Sequence, residues 1–311
     1  MRRLCLTLLL VCTSATHALA QNTHPDSAQF ITDDIRHFWE AYDRAAPDFE
    51  AASFQEFYLD RGTVGLEGFI DRRIESAENL AETIRARLGY YASIRESTLR
   101  ILEMETHTRV GFYALKYLYP EAIFPNVYFV VGVMNSGGTT SDRAIIVGAE
   151  MYGLTPEAPP DELDAWHKVV LEPVESVPHL VAHELIHVQQ RYPQGPATLL
   201  SQSIREGAAD FLGELISGRH INEHIHHYAN PREEALWREF QQRMHGNEFS
   251  GWLYSGSEGR PNDLGYWMGY KITEAYYERA ADKHQAIKDI LHIDDFDAFV
   301  AAGGYAEKFE R

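Results

Sequence analysis

The stretch VAHELIHV, residues 181–188, contains the strongest structural and chemical signal in the chain. Residues four apart stack on one face of an α-helix, so the imidazoles of His183 and His187 can reach one metal ion together. Glu184 is displaced around the helix from His183, and its carboxylate can therefore lie beside the metal without coordinating it. The other residues of the stretch are apolar, which suits a buried helix. The sequence thus predicts a buried metal-binding helix.

A second stretch, EGAAD at residues 206–210, supplies the third ligand that a tetrahedral zinc ion with one open position needs. Eighteen residues separate Glu206 from His187, and both stretches fall on predicted helices. Chance would place the two motifs at this spacing in about one chain in a thousand of this composition. We therefore predict one Zn²⁺ ion, bound by His183, His187 and Glu206, with a water molecule in the fourth position.

The two motifs resemble the paired HExxH and ExxxD helices of the gluzincin metallopeptidases. The surrounding chain resembles a bacterial family of predicted zinc-dependent proteases through three weaker stretches, at residues 61–66, 135–140 and 265–270. The resemblance implies a zincin-like domain of α+β class, mostly helical, with a small sheet beside the active-site helix. It also implies a zinc metallopeptidase that hydrolyses peptide bonds in a peptide or protein substrate.

Two acidic residues have expected roles under this hypothesis. Zinc lowers the pKa of a bound water to roughly 7, and Glu184 would take the proton of that water and deliver it to the leaving amine. Asp210 follows Glu206 by one helical turn, where it can accept the second N–H of a ligand histidine and fix its tautomer. The matching aspartate does this in the enzymes that the chain resembles.

A tyrosine is expected to donate a hydrogen bond to the oxyanion of the reaction. Tyr266 is the first choice because it opens a Tyr-x-x-Gly stretch similar to that of zinc aminopeptidases. Tyr254 and Tyr270 are alternatives. Packing of Tyr266 beside Trp267 and Tyr270, without any catalytic role, is a further interpretation.

Three other features have a functional and a plain structural interpretation. The loop at residues 135–140, with the strand that follows it, is either a sheet edge that binds substrate by strand addition or an ordinary hairpin turn. Glu150 stands in a segment that differs in residue order from an aminopeptidase motif, and it is predicted to be structural or a weak substrate contact. His220 and His224 have metal-ligand spacing, but their polar surroundings favour solvent exposure.

Hydrophobic periodicity places helices and strands along the chain. Helices are predicted at residues 33–45, 74–88, 91–118, 178–191, 199–217, 230–244 and 266–281, and strands at 127–133 and 144–147. A glycine-rich turn is predicted at residues 61–68. The expected organisation is a signal at residues 1–20, a helical region at 21–120 and a zincin-like catalytic region at 121–311, the last two forming one continuous domain.

The N-terminus has the three parts of a secretory signal: the basic Arg2 and Arg3, an apolar stretch, and small residues ending at Ala20. Cleavage after Ala20 is expected, and the protein is predicted to be exported and either periplasmic or secreted. A lipoprotein attached through Cys12 is the alternative, which the bulky Val11 before it disfavours.

Composition excludes several classes of protein. The only cysteines, Cys5 and Cys12, fall within the signal, so the mature chain is expected to contain neither disulfides nor thiolate metal sites. The net charge of −18, which the loss of Arg2 and Arg3 takes to −20, argues against nucleic acid as a partner. No segment after the signal is apolar enough to predict a membrane span, and the oligomeric state is left open.

Two alternatives to a general peptidase remain at this point. One is a non-catalytic exported envelope protein that uses zinc as a structural staple or as part of a partner-binding surface. A structural site of that kind does not require Glu184, which favours the peptidase. The other is an aminopeptidase in particular, which would act only on peptides with free N-termini.

Overall fold

A small mixed sheet and a larger set of helices make up residues 22–141, 144–254, 256 and 259–310, the part of the chain that the computed structural model describes. The predicted class, mostly helical α+β with a small sheet, is confirmed at this level. The predicted signal and both cysteines lie outside the described residues. Within those residues, every helix is too short or too polar to cross a membrane.

The sheet has four strands in the order β1-β2-β4-β3. The strands are β1 (Phe30–Ile31), β2 (Asn126–Val130), β3 (Gly138–Ser141) and β4 (Ala144–Gly148). Strand β2 runs parallel to β1 and β4, whereas β3 runs antiparallel to β4 and forms an edge. Parallel strands need a crossover connection, so the segment between β2 and β4 is not a hairpin turn that joins them. Part of the predicted loop at residues 135–140 is instead the start of edge strand β3.

From residue 22, where the described part of the chain begins, seven α-helices precede β2. They are α1 (Asp33–Ala45), α2 (Ala51–Phe57), α3 (Val64–Phe69), α4 (Ala77–Ala86), α5 (Leu88–Ser93), α6 (Arg95–Arg100) and α7 (Glu105–Leu118). The prediction of one helix over residues 91–118 was wrong, because the chain bends at the buried Ile94 and Ile101. Between the two bends, the Ser97 hydroxyl donates to the Gly153 carbonyl at 2.7 Å and so joins α6 to a distant segment.

The predicted glycine-rich turn at residues 61–68 was also wrong in its second half, where α3 forms. Gly65 lies against the sheet, and a Cβ there would be 2.3 Å from the side chain of Tyr128. The glycine therefore permits a close helix-to-sheet contact rather than a turn. A π-helical turn, Ile70–Ile74, follows α3 directly.

Among the described residues, eight α-helices follow β4. They are α8 (His167–Val170), α9 (Val177–Gln189), α10 (Leu199–Ser217), α11 (Glu223–Ala229), α12 (Glu233–Gln241), α13 (Leu264–Arg279), α14 (Lys283–Leu291) and α15 (Phe296–Gly303). The helix predicted at residues 199–217 matches α10 at both ends, and its Thr198–Ser201 capping box explains the start. Helix α11 was missed, because a seven-residue helix rich in histidine has little apolar periodicity.

Helices α10 and α13 approach each other at backbone contact. A Cβ on Gly269 would lie 1.7 Å from the carbonyl oxygen of Ser203, and one on Gly207 would lie 2.0 Å from the amide nitrogen of Tyr270. On the other side of α10, a Cβ on Gly213 would be 3.2 Å from the Cα of His183 in α9. Small residues on α10 thus bring three helices close enough to share one group of side chains.

We expect Gly269→Ala to lower the melting temperature, because the added methyl group overlaps backbone that cannot move without separating α10 from α13. Overpacking of this kind costs about 1–3 kcal/mol, which exceeds the gain of ~1 kcal/mol that alanine brings to a helix interior. Gly195→Ala is the matched control, since nothing lies within 4 Å of its added Cβ. Equal melting temperatures for the two variants would contradict the close packing.

Candidate metal centre

Three side chains from α9 and α10 converge in the core. His183 and His187 lie one turn apart on α9, and Glu206 faces them from α10. The Nε2 atoms of the two histidines are 3.0 Å apart, and Glu206 Oε2 lies 3.1 Å from His187 Nε2 and 3.6 Å from His183 Nε2. His183 is buried, and the other two side chains are 13% exposed. This group could hold a metal ion.

The spacing of these atoms suits a tetrahedral ion. Metal–ligand bonds of about 2.0–2.1 Å at tetrahedral angles place neighbouring ligand atoms ~3.3 Å apart, close to the three observed separations. Two imidazoles and one carboxylate also form a donor set that zinc accepts, with a fourth position free for water or another ligand. The geometry therefore fits a divalent ion at the centre of the three atoms.

Both histidines are oriented by a second hydrogen bond. Asp210 Oδ1 lies 2.8 Å from His183 Nδ1, and Gln190 Oε1 lies 2.9 Å from His187 Nδ1. With Nδ1–H donating to its oxygen, each ring would present an unprotonated Nε2 to a metal ion at the centre. Asn222 in turn donates to the other carboxylate oxygen of Asp210 at 2.7 Å.

Sequence reasoning found Asp210 but missed Gln190 and Asn222. Gln190 follows His187 by three positions and shares its helix face, which was an available signal. Asn222 lies on a different segment with no recognisable motif.

The group favours positive charge at its centre. Burial opposes protonation of His183, but hydrogen bonds to Asp210 and Glu206 outweigh it and raise the pKa of His183 to about 10. Burial likewise opposes ionisation of Glu206, yet His187 and His183 hold the pKa of its carboxyl well below its usual range. A divalent cation at this point would neutralise more of the negative charge of the surrounding carboxylates than a proton does.

A cavity of about 360 Å³ opens beside the three ligands, and Glu184 and Tyr266 both line it. Glu184 is 8% exposed, and a Cβ on Gly138 of β3 would lie 2.7 Å from its Oε1. Burial raises the pKa of Glu184, although the two neighbouring imidazoles act against this. The ring of Tyr266 stacks on that of His183, with centroids 6.3 Å apart.

The alternative tyrosines lie elsewhere. The Tyr270 hydroxyl donates to Glu214 at 2.7 Å, and Tyr254 is 63% exposed. Neither lines the cavity, so of the three tyrosines considered only Tyr266 does among the described residues. Trp267 is fully buried beside it.

Glu150 and the histidine cluster also lie outside the cavity. Glu150 is fully buried, and burial raises the pKa of its carboxyl to about 7. The Met134 amide donates to its Oε1 at 3.2 Å. The ring of His220 contacts that of His226, with centroids 4.3 Å apart. His220 and His224, for which solvent exposure was predicted, are both part-buried, so their exposure is only partial.

The fold and the site together define a mostly helical α+β protein with a buried two-histidine, one-glutamate group able to bind a metal. A family model described as gliding motility protein GldB matches residues 34–306 of the chain. The match spans most of the sequence, so the chain belongs to the GldB family of gliding motility proteins. No curated protein and no solved structure matches the chain.

The family match corrects the functional hypothesis drawn from the sequence. Assignment to the gluzincin metallopeptidases was wrong, and so were peptide-bond hydrolysis and the narrower aminopeptidase alternative. The two motifs describe the geometry of a metal site on paired helices, and such a site can serve proteins of unrelated function. The roles of Glu184 as general base and Tyr266 as oxyanion donor lose their support with the peptidase hypothesis. The ligand roles and that of Asp210 do not depend on it and stay predictions.

The family match also bears on location. The matched family is one of lipoproteins, which supports export of the chain. Export was predicted correctly. Release as a soluble chain after Ala20 was favoured over attachment through Cys12, and the family supports the attached form.

We expect Asp210→Asn to weaken binding of Zn²⁺ by about 10–100-fold, because the amide no longer fixes the orientation and basicity of His183. Asn222→Ala should have a smaller effect in the same direction, since it removes only the partner of Asp210. Competition with a fluorescent chelator measures both affinities. Asp297→Asn, an exposed carboxylate on α15, is the control, and an Asp210→Asn affinity equal to that of the control would contradict the proposed support.

Proposed function

We propose that this chain is a zinc-binding lipoprotein of the cell envelope whose zinc-bound form serves gliding motility. The observation that carries the metal part of the proposal is the convergence of His183, His187 and Glu206 on one point in the core. The motility part rests on the family to which the chain belongs. We further propose Cys12 as the lipid attachment point, since it is the only cysteine at the end of the apolar stretch.

Zinc is the ion that this donor set favours. The described residues contain no cysteine, so the site offers nitrogen and oxygen ligands only. Two imidazoles suit zinc, copper, iron or nickel better than magnesium or calcium, which prefer oxygen. The near-tetrahedral spacing of the three donor atoms then favours zinc.

The ion would act first on the stability of the fold. Its ligands come from two helices, α9 and α10. The ring of Tyr266, on α13, stacks on the imidazole of one ligand, His183. Binding to the folded chain alone stabilises it by mass action, so loss of the ion loosens the contact among these three helices.

The test combines metal content with motility. We expect the full-length protein, purified from its host and dialysed, to contain one zinc per chain by mass spectrometry of its metals. His183→Ala should lose the metal, because two ligands cannot retain the ion, and Glu184→Gln should keep it. In a strain that lacks the gene, His183→Ala should fail to restore colony spreading at protein levels where wild type restores it.

His227→Ala is the matched control for this experiment, because that imidazole is 79% exposed and distant from the three ligands in the chain. It should keep both the metal and colony spreading. Full spreading by a metal-free His183→Ala protein would overturn the requirement for zinc. Wild-type protein that contains no metal and takes up none would overturn the metal site itself.

A further inference from the structure

Two arginines line the cavity beside the metal ligands. Arg73 enters it from the π-helical turn that follows α3, and Arg205 enters it from α10, next to Glu206. Both residues are part-buried. They stand out in a chain with 46 acidic and only 28 basic residues.

Neither guanidinium forms an ion pair within the described part of the chain. Other arginines do, for example Arg95 with Asp43 at 2.6 Å and Arg61 with Glu40 at 2.7 Å. The guanidinium of Arg205 lies over the ring of Tyr192 at 5.3 Å, which positions it without neutralising it. The charge of Arg73 acts on Glu184, whose pKa it lowers against the dominant effect of burial, but no contact within 4 Å joins them.

A second and larger cavity adjoins the first. It measures about 650 Å³ and shares Arg73, Thr139 and Thr140 with the cavity at the metal ligands. Its floor is one face of the sheet, where Tyr128, Ile146 and Thr139 lie side by side on β2, β4 and β3. The side chains of Tyr128 and Ile146 therefore form an apolar surface that extends across the sheet to edge strand β3, next to the cavity that the two arginines line.

We propose that the metal site binds an organic anion, with its charged group between Arg73 and Arg205 and its uncharged part in the larger cavity, between α3 and the sheet at Tyr128 and Ile146. Guanidinium groups pair with carboxylates and phosphates through two parallel hydrogen bonds, so these are the two classes of charged group. This inference rests on the proposed function, since it names the ligand of the same site.

The arginines do more than balance the local carboxylates. With a divalent ion bound, the ion and the two guanidinium groups exceed the charges of Glu184, Glu206 and Asp210 by one. The site is thus positive within a strongly acidic protein, and a site of this kind attracts anions that the rest of the surface repels.

The experiment measures binding of defined probes by calorimetry, to the full-length protein in detergent, with and without added zinc. The probes are inorganic phosphate, phenylphosphonate, benzoate and the neutral benzyl alcohol. We expect phenylphosphonate or benzoate to bind at least about tenfold more tightly than phosphate or benzyl alcohol, because only they combine a charge with an apolar ring. The tighter of the two identifies the class of charged group.

Variants locate the ligand. Arg73→Gln and Arg205→Gln should each weaken binding of the tighter anion about tenfold, while Arg36→Gln on the exposed face of α1 should not. Tyr128→Leu should reduce the preference for the ring without weakening binding of phosphate. Unchanged affinity in both arginine variants, or no preference for the ring in wild type, would overturn the inference.

The metal content of the same samples separates the two proposals. Protein that contains zinc but binds anions independently of Arg73 and Arg205 contradicts this inference alone. Protein that takes up no zinc contradicts the proposed function; if it still binds the anion through Arg73 and Arg205, the arginine site of this inference stands without the metal.

Discussion

His183 and His187 can face Glu206 only because α9, α10 and α13 pack at backbone distance. Alanine side chains on α10 and α13 in place of Gly207 and Gly269 would occupy the position of main-chain atoms. That close approach places the imidazoles and the carboxylate within 3.0–3.6 Å of one another. The cavity, the outer hydrogen bonds and the arginines are arranged around the point where these three side chains meet.

Burying the side chains of His183, His187 and Glu206 costs desolvation free energy when no metal ion is bound. Burial disfavours charge on each member, and the cluster is stable because a carboxylate and imidazoles of opposite charge compensate each other. Asp210, Gln190 and Asn222 extend that compensation outward by hydrogen bonds. Metal binding would explain why the fold keeps this cluster of polar side chains in its core.

Much of the site could be predicted from sequence, because helical spacing alone brings residues four apart onto one face. His183, His187, Glu206 and Asp210 were found in this way, on helices whose ends were close to those observed. Gln190 was missed although it follows His187 by only three positions, at the C-terminal end of α9.

Other parts depend on contacts between distant segments. Asn222 reaches Asp210 across a turn, and Arg73 reaches the cavity from a π-helical turn that the sequence did not predict. The parallel pairing of β2 with β4 was also missed, although the uninterrupted apolar run of β4 is typical of a parallel strand buried on both faces. Function was the largest error, because motifs that report metal geometry do not report what the protein does with the metal.

The most direct measurement is anomalous diffraction at the zinc absorption edge, on crystals of the protein grown with zinc. We predict a single strong peak about 2.0–2.1 Å from the Nε2 atoms of His183 and His187 and from one oxygen of Glu206. A peak elsewhere, or no peak at a zinc concentration that saturates the protein in solution, would contradict the metal centre on which the account depends.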